Sequence, residues 1–198
     1  MLDAPLSGPV CQACWSGVRR VVPPVFDGCA VACEYEGTLR DILHAFKYDG
    51  RRSLAAPLGA LLRDAGGAVL AGADAVVPVP LHPWKRLQRG FNQSADLART
   101  LGVPLRPVLW RSRATRPQAG LTPGQRRRNV AGAFALTPWP TQPSKTIEKQ
   151  ILVLVDDVMT TGATLDACAR VLQRAGAREV RTLTLARALP PAPGNPRP

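Results

Sequence analysis

The chain has 198 residues, which is enough for one domain of ordinary size with a substantial core and a small appendage. Hydrophobic residues make up 45% of it and aromatic residues only 5%, so the core must be built mainly from Val, Leu, Ile and Ala, as suits a parallel sheet covered by helices. No apolar run approaches the roughly 20 residues of a membrane-spanning helix, and the start of the chain lacks signal-peptide features, so we expect a cytoplasmic protein without membrane insertion.

The net charge of +12 is concentrated in the middle of the chain. Between Lys85 and Arg128 there are eleven Lys and Arg residues and a single acid, Asp96. This concentration predicts an anionic partner, either a polyphosphate ligand or a nucleic acid, while a solvated basic face is the alternative. Five cysteines, an odd number, favour a reducing compartment over a disulfide framework.

The first half of the chain predicts one strand and two helices. Residues 30–35 alternate in polarity, as a strand does. A helix that ends before Gly50 carries Leu39, Ile42, Leu43 and Phe46. A second helix, ending near Gly66, carries Leu54, Leu58, Leu61 and Leu62.

The middle of the chain is less regular. Residues 75–81 form an apolar run with two prolines, which predicts a strand that dissolves into a loop. After the loop LHPWKRLQRGFN, a helix is predicted from Gln93 to Leu101, with Gly102 as its cap. Residues 103–137 are predicted to form an irregular β-arm interrupted by a basic stretch, and residues 138–149 an exposed polar segment.

The last part of the chain predicts a βαβ unit. ILVLVDD is typical of a buried strand, MTTGAT of a turn, Leu165 to Ala175 of a helix and EVRTLTLA of a second strand. The proline-rich residues 190–198 are predicted to be disordered.

The turn of this unit carries the clearest chemical signal. The strand delivers Asp156 and Asp157 to its carboxyl end, where α/β proteins bind ligands, and the chain then enters a helix through Gly162. Free amides at a helix start favour a phosphate, whereas two carboxylates repel phosphate but accept hydrogen bonds from the vicinal hydroxyls of a ribose. The pattern therefore predicts a sugar phosphate ligand, and no Gly-Lys-Ser/Thr follows as a P-loop requires. The alternative is an ordinary capped helix with acids near its start.

The string ILVLVDDVMTTGATL resembles the signature of the type I phosphoribosyltransferases. The resemblance implies that fold: an α/β domain whose mostly parallel sheet is flanked by helices, with a β-arm as a flexible loop and here a short N-terminal appendage. It implies that Asp156 and Asp157 hold the ribose hydroxyls of phosphoribosyl pyrophosphate, together with Mg²⁺ bound largely by ligand oxygens. It also implies that six consecutive residues wrap the 5-phosphate: Met159, Thr160, Thr161, Gly162, Ala163 and Thr164.

Three further strings resemble those of the ComF family of competence-associated proteins: YEGTLRDILHAFKYDG, VPVPLHPWKRLQRGFNQSADLAR and QAGLTPGQRRRNVAGAF. The resemblance covers roughly residues 25–187. It implies that Lys85, Arg86 and Arg89 face the pyrophosphate, with Lys47 and Tyr48 on the other wall of the site. Arg126, Arg127 and Arg128 would belong to a mobile loop that closes over the site, or they would grip a nucleic-acid backbone.

The cysteines suggest the remnant of a metal module. Cys11 and Cys14 form a CxxC pair, and relatives in the family carry a longer zinc module that ends in such a pair. We therefore expect an appendage over residues 1–34, truncated relative to the family, with Cys11 and Cys14 as candidate zinc ligands and the phosphoribosyltransferase-like domain over residues 35–189. Cys29 and Cys33 approach the spacing of a zinc ribbon but also fit the face of a strand.

Three functions remain open from the sequence. The first is transfer of a phosphoribosyl group to an unidentified acceptor. The second is handling of single-stranded DNA in natural transformation, which the family implies, with a competence helicase as a partner. The third is sensing of phosphoribosyl pyrophosphate without turnover. Relatives of this fold often form homodimers.

Overall fold

A computed structural model describes residues 10–22, 25–26, 28–113, 115, 122–138 and 147–188 of the chain. Its strands are β1 Val25–Phe26, β2 Cys29–Glu34, β3 Ala75–Pro78, β4 Leu109–Arg111, β5 Phe134–Leu136, β6 Ile151–Met159 and β7 Glu179–Arg187. Its helices are α1 Gln12–Ser16, α2 Gly37–Tyr48, α3 Ala55–Leu70, α4 Pro83–Arg89, α5 Gln93–Arg99, α6 Pro123–Val130 and α7 Ala163–Arg174, with a 3₁₀ turn at Arg52–Leu54.

Five strands form the main sheet in the order β1-β2-β7-β6-β3. The four strands from β2 to β3 run parallel, and only β1 is antiparallel to its neighbour. β4 and β5 pair separately as a short antiparallel arm. The predicted fold, a mostly parallel sheet flanked by helices with a β-arm, is confirmed.

The core lies in two layers, one on each face of the sheet. β6 is buried from Ile151 to Val155, and its side chains alternate between the layers, as the period of a strand requires. Val153 and Val155 pack with α2, α3 and α5, whereas Leu152 and Leu154 pack with α7 and the arm. This double burial explains why the strand is apolar at every position until Asp156.

The proline in β3 is accommodated at the edge of the sheet. The amide of Val79 donates to the carbonyl of Val155 on β6, while the amide of Val76 donates outward to the carbonyl of Pro104. Because amides alternate in direction along a strand, the position of Pro78 faces the outer side, where the missing donor breaks no bond to β6.

Several element boundaries differ from the sequence prediction. The loop predicted after residue 81 contains the helix α4, and the basic stretch within the arm contains α6. α3 continues to Leu70, beyond the end predicted near Gly66. Both missed helices have a side-chain N-cap and a proline in their first turn, which together mark a helix start. The basic composition of these segments obscured this signal.

The segment 138–149 and the appendage also differ. Ile147 is fully buried against the α7 layer, so the exposed segment predicted there is wrong at this residue, and residues 139–146 lie outside the described part. β2 falls N-terminal to the predicted boundary at residue 34, yet it pairs with β7 and belongs to the central sheet. None of the helices in the described ranges combines the length and apolar character that crossing a bilayer requires.

Candidate functional site

The site lies at the carboxyl edge of the sheet, between β3 and β6. The two strands are parallel neighbours whose pairing ends at Pro78 and Val155. The chain after β3 leads to α5, which packs on one face, and the chain after β6 leads to α7, which packs on the other. Two connections that diverge in this way leave a crevice, where open α/β sheets bind their ligands.

The acidic pair lies in this crevice, within a strand that runs two residues further than predicted, to Met159. One carboxylate oxygen of Asp156 accepts hydrogen bonds from the Ser94 hydroxyl at 3.1 Å and from the Asp157 amide at 2.9 Å. Asp157 accepts one from the Val158 amide at 2.7 Å. Its other carboxylate oxygen lies 2.6 Å from the Lys47 ammonium, in an ion pair whose side chains are only 13% (Lys47) and 15% (Asp157) exposed.

The two acids have opposite protonation tendencies. Burial and the adjacent charge of Asp157 raise the pKa of Asp156. Burial also acts to raise the pKa of Asp157, but the charge and hydrogen bond of Lys47 outweigh it and hold that pKa below its ordinary value. Asp157 is therefore the carboxylate that carries the negative charge of the pair at neutral pH, while Asp156 retains a proton more readily.

Four cations surround the acids in a cavity of about 280 Å³. They come from three elements: Lys47 from the end of α2, Lys85 and Arg89 from α4, and Arg111 from the end of β4. Loss of solvent around its ammonium group lowers the pKa of Lys85, and the charges of Arg89, Arg111 and Lys47 lower it further. Such mutual repulsion favours the binding of an anion among these cations.

The turn after β6 forms a smaller cavity of about 20 Å³ beside the first one. Five of the six residues predicted to wrap a phosphate line it: Met159, Thr160, Gly162, Ala163 and Thr164. The sixth, Thr161, has a buried hydroxyl without a hydrogen-bond partner among the described residues. Gly162 has a φ of 74°, in the left-handed region, and caps α7. A buried donor without a partner and a helix start together suit an acceptor-rich ligand such as phosphate.

Some predicted site residues lie elsewhere. Arg86 lines a neighbouring groove of about 510 Å³, which shares Arg111 with the acid-pair cavity. Arg127 and Arg128 line a different groove against α7. The predicted roles of Arg86 at a pyrophosphate and of Arg126, Arg127 and Arg128 in a closing loop stay predictions.

Two residues with polar side chains in the cavity were missed by the sequence prediction, Ser94 and Arg111. Ser94 lies at the start of α5 within a quoted family string, and Arg111 belongs to the basic window, but neither has a local pattern that points to the acids. Arg111 has a buried Nε without a partner among the described atoms, and burial lowers its pKa. Its guanidinium also lies 5.3 Å from the centre of the Phe134 ring.

Tyr48, predicted to line the wall, holds Arg89 in place. The Arg89 guanidinium donates to the Tyr48 hydroxyl at 2.8 Å and stacks 4.6 Å from the centre of its ring. Tyr48 itself is 59% exposed. It therefore acts through Arg89 rather than from within the cavity.

The cysteines divide into two groups. The sulfur atoms of Cys11 and Cys14 lie 3.3 Å apart at the surface. Cys33 is fully buried in β2, and burial raises its pKa to about 11, so it belongs to the core. In the described ranges no three His, Cys, Asp or Glu side chains come together as metal ligands. Zinc at Cys11 and Cys14 stays a prediction.

A parallel sheet with an acid pair and a glycine-containing turn into a helix at its carboxyl edge defines a phosphoribosyltransferase-type domain. The family described as "Phosphoribosyl transferase domain" matches residues 87–192, just over half of the chain. Within that class the chain belongs to the ComF family of competence proteins, as the motifs predicted.

The relatives that show this are bacterial proteins. Competence protein F of Haemophilus influenzae is 33% identical over 83% of this chain and 75% of its own length. DNA utilization protein YhgH of Escherichia coli is 32% identical over 84% of this chain and 75% of its own length. Competence protein ComFC of Streptococcus pneumoniae is 29% identical over 77% and 65%.

Solved structures with a related fold are more distant. The purine phosphoribosyltransferase from Pyrococcus horikoshii superposes with a TM-score of 0.40 at 18% identity, covering 66% of this chain and 70% of that one. An allosteric regulatory enzyme of purine biosynthesis superposes with a TM-score of 0.44 at 19% identity, and the match covers 71% of this chain and 29% of that one. The family assignment rests on the sequence matches.

Proposed function

We propose that the chain binds phosphoribosyl pyrophosphate at the acid-pair cavity and uses this site in the handling of DNA. The observation that carries the proposal is the meeting of four cations, two acids and a phosphate-type turn at one crevice of the sheet. Each part suits one part of that ligand, and Asp156 lines both the cavity of the turn and the cavity of the cations.

The turn suits the 5-phosphate, because a helix start and the unpartnered Thr161 hydroxyl both offer hydrogen bonds to phosphate oxygens. Asp156 and Asp157 suit the ribose hydroxyls. Lys85 and Arg89, which line the acid-pair cavity, suit the pyrophosphate, whose negative charges relieve the repulsion among the cations.

Mg²⁺ accompanies the diphosphate in this proposal. Among the described residues two acids line the cavity, Asp156 and Asp157, and Lys47 engages Asp157. Mg²⁺ commonly keeps water and substrate oxygens as ligands, so the ligand itself would supply most of its coordination.

The role in DNA uptake is supported by the relatives, one named a competence protein and another a DNA utilization protein. The activity at the site would be transfer of the phosphoribosyl group to an acceptor with release of pyrophosphate, or sensing of the ligand without turnover. Acceptor-dependent release of pyrophosphate separates the two.

A second candidate function, binding of single-stranded DNA, is favoured by the larger groove of about 510 Å³ beside the cavity. Arg86 and Arg111 line it together with the partly exposed Trp110, and Arg52 and Arg99 also line it, each paired with Asp96. Cations interleaved with an aromatic side chain suit a backbone and its bases. Affinity for a single-stranded oligonucleotide should fall steeply with added salt, because phosphate contacts release counterions. Binding that does not respond to salt would contradict this function.

Calorimetric titration with phosphoribosyl pyrophosphate and Mg²⁺ tests the main proposal. We expect Asp156→Ala with Asp157→Ala to lose at least thirtyfold in affinity, because a hydrogen bond to the charged Asp157 contributes roughly 1.5–3 kcal/mol and one to the neutral Asp156 roughly 0.5–1.5 kcal/mol. The control is Asp41→Ala with Asp64→Ala, which removes two exposed acids that do not line the cavity. Circular dichroism verifies the fold of both variants. Equal affinity in the two double variants would refute the proposed site.

A further inference from the structure

A groove of about 420 Å³ lies between α6 and α7, apart from the acid-pair cavity. Its floor is apolar and includes Val130, Phe134, Ala167 and Val171. Its two rims are cationic, with Arg127 and Arg128 on α6 and Arg170 and Arg174 on α7. The groove thus combines an apolar floor with two guanidinium groups on each rim.

The charges of this groove are not balanced within the described part of the chain. The one acid in its lining, Asp166, is engaged by Arg170 at 2.7 Å. No ion pair of the described residues involves Arg127, Arg128 or Arg174, and all three side chains are exposed. The excess of cations favours an anionic ligand in the groove, and the apolar floor favours a ligand that also has a non-polar face.

We propose that the groove between α6 and α7 binds a mononucleotide, with the base on the apolar floor and the phosphates on the arginine rims. Guanidinium groups suit both parts of such a ligand, because they stack on aromatic rings and bind phosphate oxygens with two parallel hydrogen bonds. The volume lies within the range of small-molecule sites, about 300–1,000 Å³.

The groove adjoins the phosphate turn. Ala163, the first residue of α7, lines both the groove and the small cavity of the turn. α6 belongs to the segment that the family resemblance implies to be a closing loop, and in the structure it packs on α7. A nucleotide between α6 and α7 would therefore hold the arm in this position.

The probe is ADP in a calorimetric titration, with pyrophosphate and adenosine as its two halves. We expect ADP to bind at least tenfold more tightly than either half, since each half uses only one part of the groove. Arg128→Ala with Arg174→Ala should weaken ADP at least tenfold. The charge-matched control, Arg40→Ala with Arg178→Ala, removes two exposed arginines outside the groove and should leave the affinity within threefold.

Two further variants fix the position of the ligand. Ala167→Phe fills the floor while keeping every arginine, and it should abolish ADP binding while leaving pyrophosphate binding within threefold. Asp156→Ala with Asp157→Ala should leave ADP binding intact, whatever it does to phosphoribosyl pyrophosphate, so this inference and the proposed function can fail separately. Three results would overturn the proposal. The first is failure of ADP to bind the native protein at millimolar concentration, and the second is an affinity that falls as much in the charge-matched control as in Arg128→Ala with Arg174→Ala. The third is loss of ADP binding in the acid-pair variant.

Discussion

Replacing Lys47 by Met removes the counterion of Asp157 while nearly preserving the volume of the side chain. The two groups are 2.6 Å apart, and both are largely shielded from solvent. Breaking a buried ion pair by removing one partner costs about 3–5 kcal/mol, because a charge is left without compensation. Because Asp157 lines the open cavity and keeps some exposure to solvent, we expect a loss of stability at the lower end of this range, about 3 kcal/mol at pH 8.

The cost should depend on pH. In the native protein Lys47 holds the pKa of Asp157 below its ordinary value, so this carboxyl contributes stability above its unfolded pKa and loses it only as the pH falls through the lower folded pKa. Without Lys47, burial is the largest remaining influence on Asp157 and acts to raise its pKa, so the variant loses stability as the pH rises. Each pKa unit corresponds to about 1.4 kcal/mol, so the difference between the two proteins widens from pH 5 to pH 8.

Urea unfolding at pH 5 and pH 8, followed by circular dichroism, measures the free energy of unfolding of both proteins. Lys85→Met is the control, because Lys85 lines the same cavity but forms no ion pair among the described residues, and we expect a change within about 0.5 kcal/mol at either pH. An equal loss for Lys47→Met at both pH values would refute the assignment of this ion pair.

Three further predictions concern the same edge of the sheet. Burial raises the pKa of Asp156 to about 8. The neutral carboxyl therefore contributes stability that is fully present below its unfolded pKa, and this contribution is lost as the pH rises through about 8. Asp156→Asn, which cannot ionise, should therefore melt at a higher temperature relative to the native protein at pH 9 than at pH 6; a constant difference would contradict the shift. Gly162→Ala should cost about 1 kcal/mol in chemical denaturation because of its positive φ, whereas Gly124→Ala, in α6 with open space around it, should cost nothing. Thr161→Val should leave stability within about 0.5 kcal/mol, since its hydroxyl has no partner in the described structure, yet weaken phosphoribosyl pyrophosphate in calorimetry; unchanged binding would remove Thr161 from the site.

The parts of the fold that were predictable have strong local signals. β6 and β7 are apolar strands that flank a helix of the right period, and Gly162 marks the entry into that helix. The helices α4 and α6 were missed because neither has an apolar face: the first buries no residue, and the second buries only Val130 among its described side chains. Their caps were visible, but a cap without periodicity is a weak signal.

The candidate site divides in the same way. Asp156, Asp157 and the turn are contiguous, so a single stretch of sequence predicted their place and their chemistry. The partners of these acids come from distant segments, Lys47 from α2 and Ser94 from α5, and Arg111 joins their cavity from the arm. Composition indicated an anionic ligand, but not which of the cations would face the acids.

The sequence by itself therefore determined the class of fold, the family and the position of the acid pair, because these depend on periodicity and on a short contiguous motif. Only the tertiary structure decided that Lys47 neutralises Asp157 while Asp156 is left with a raised pKa. It also decided that Arg111 joins the cavity while Arg127 and Arg128 line a separate groove. The physical reason is that a charge acts over a few ångströms in space, and those neighbours are set by how the helices and the arm pack on the sheet.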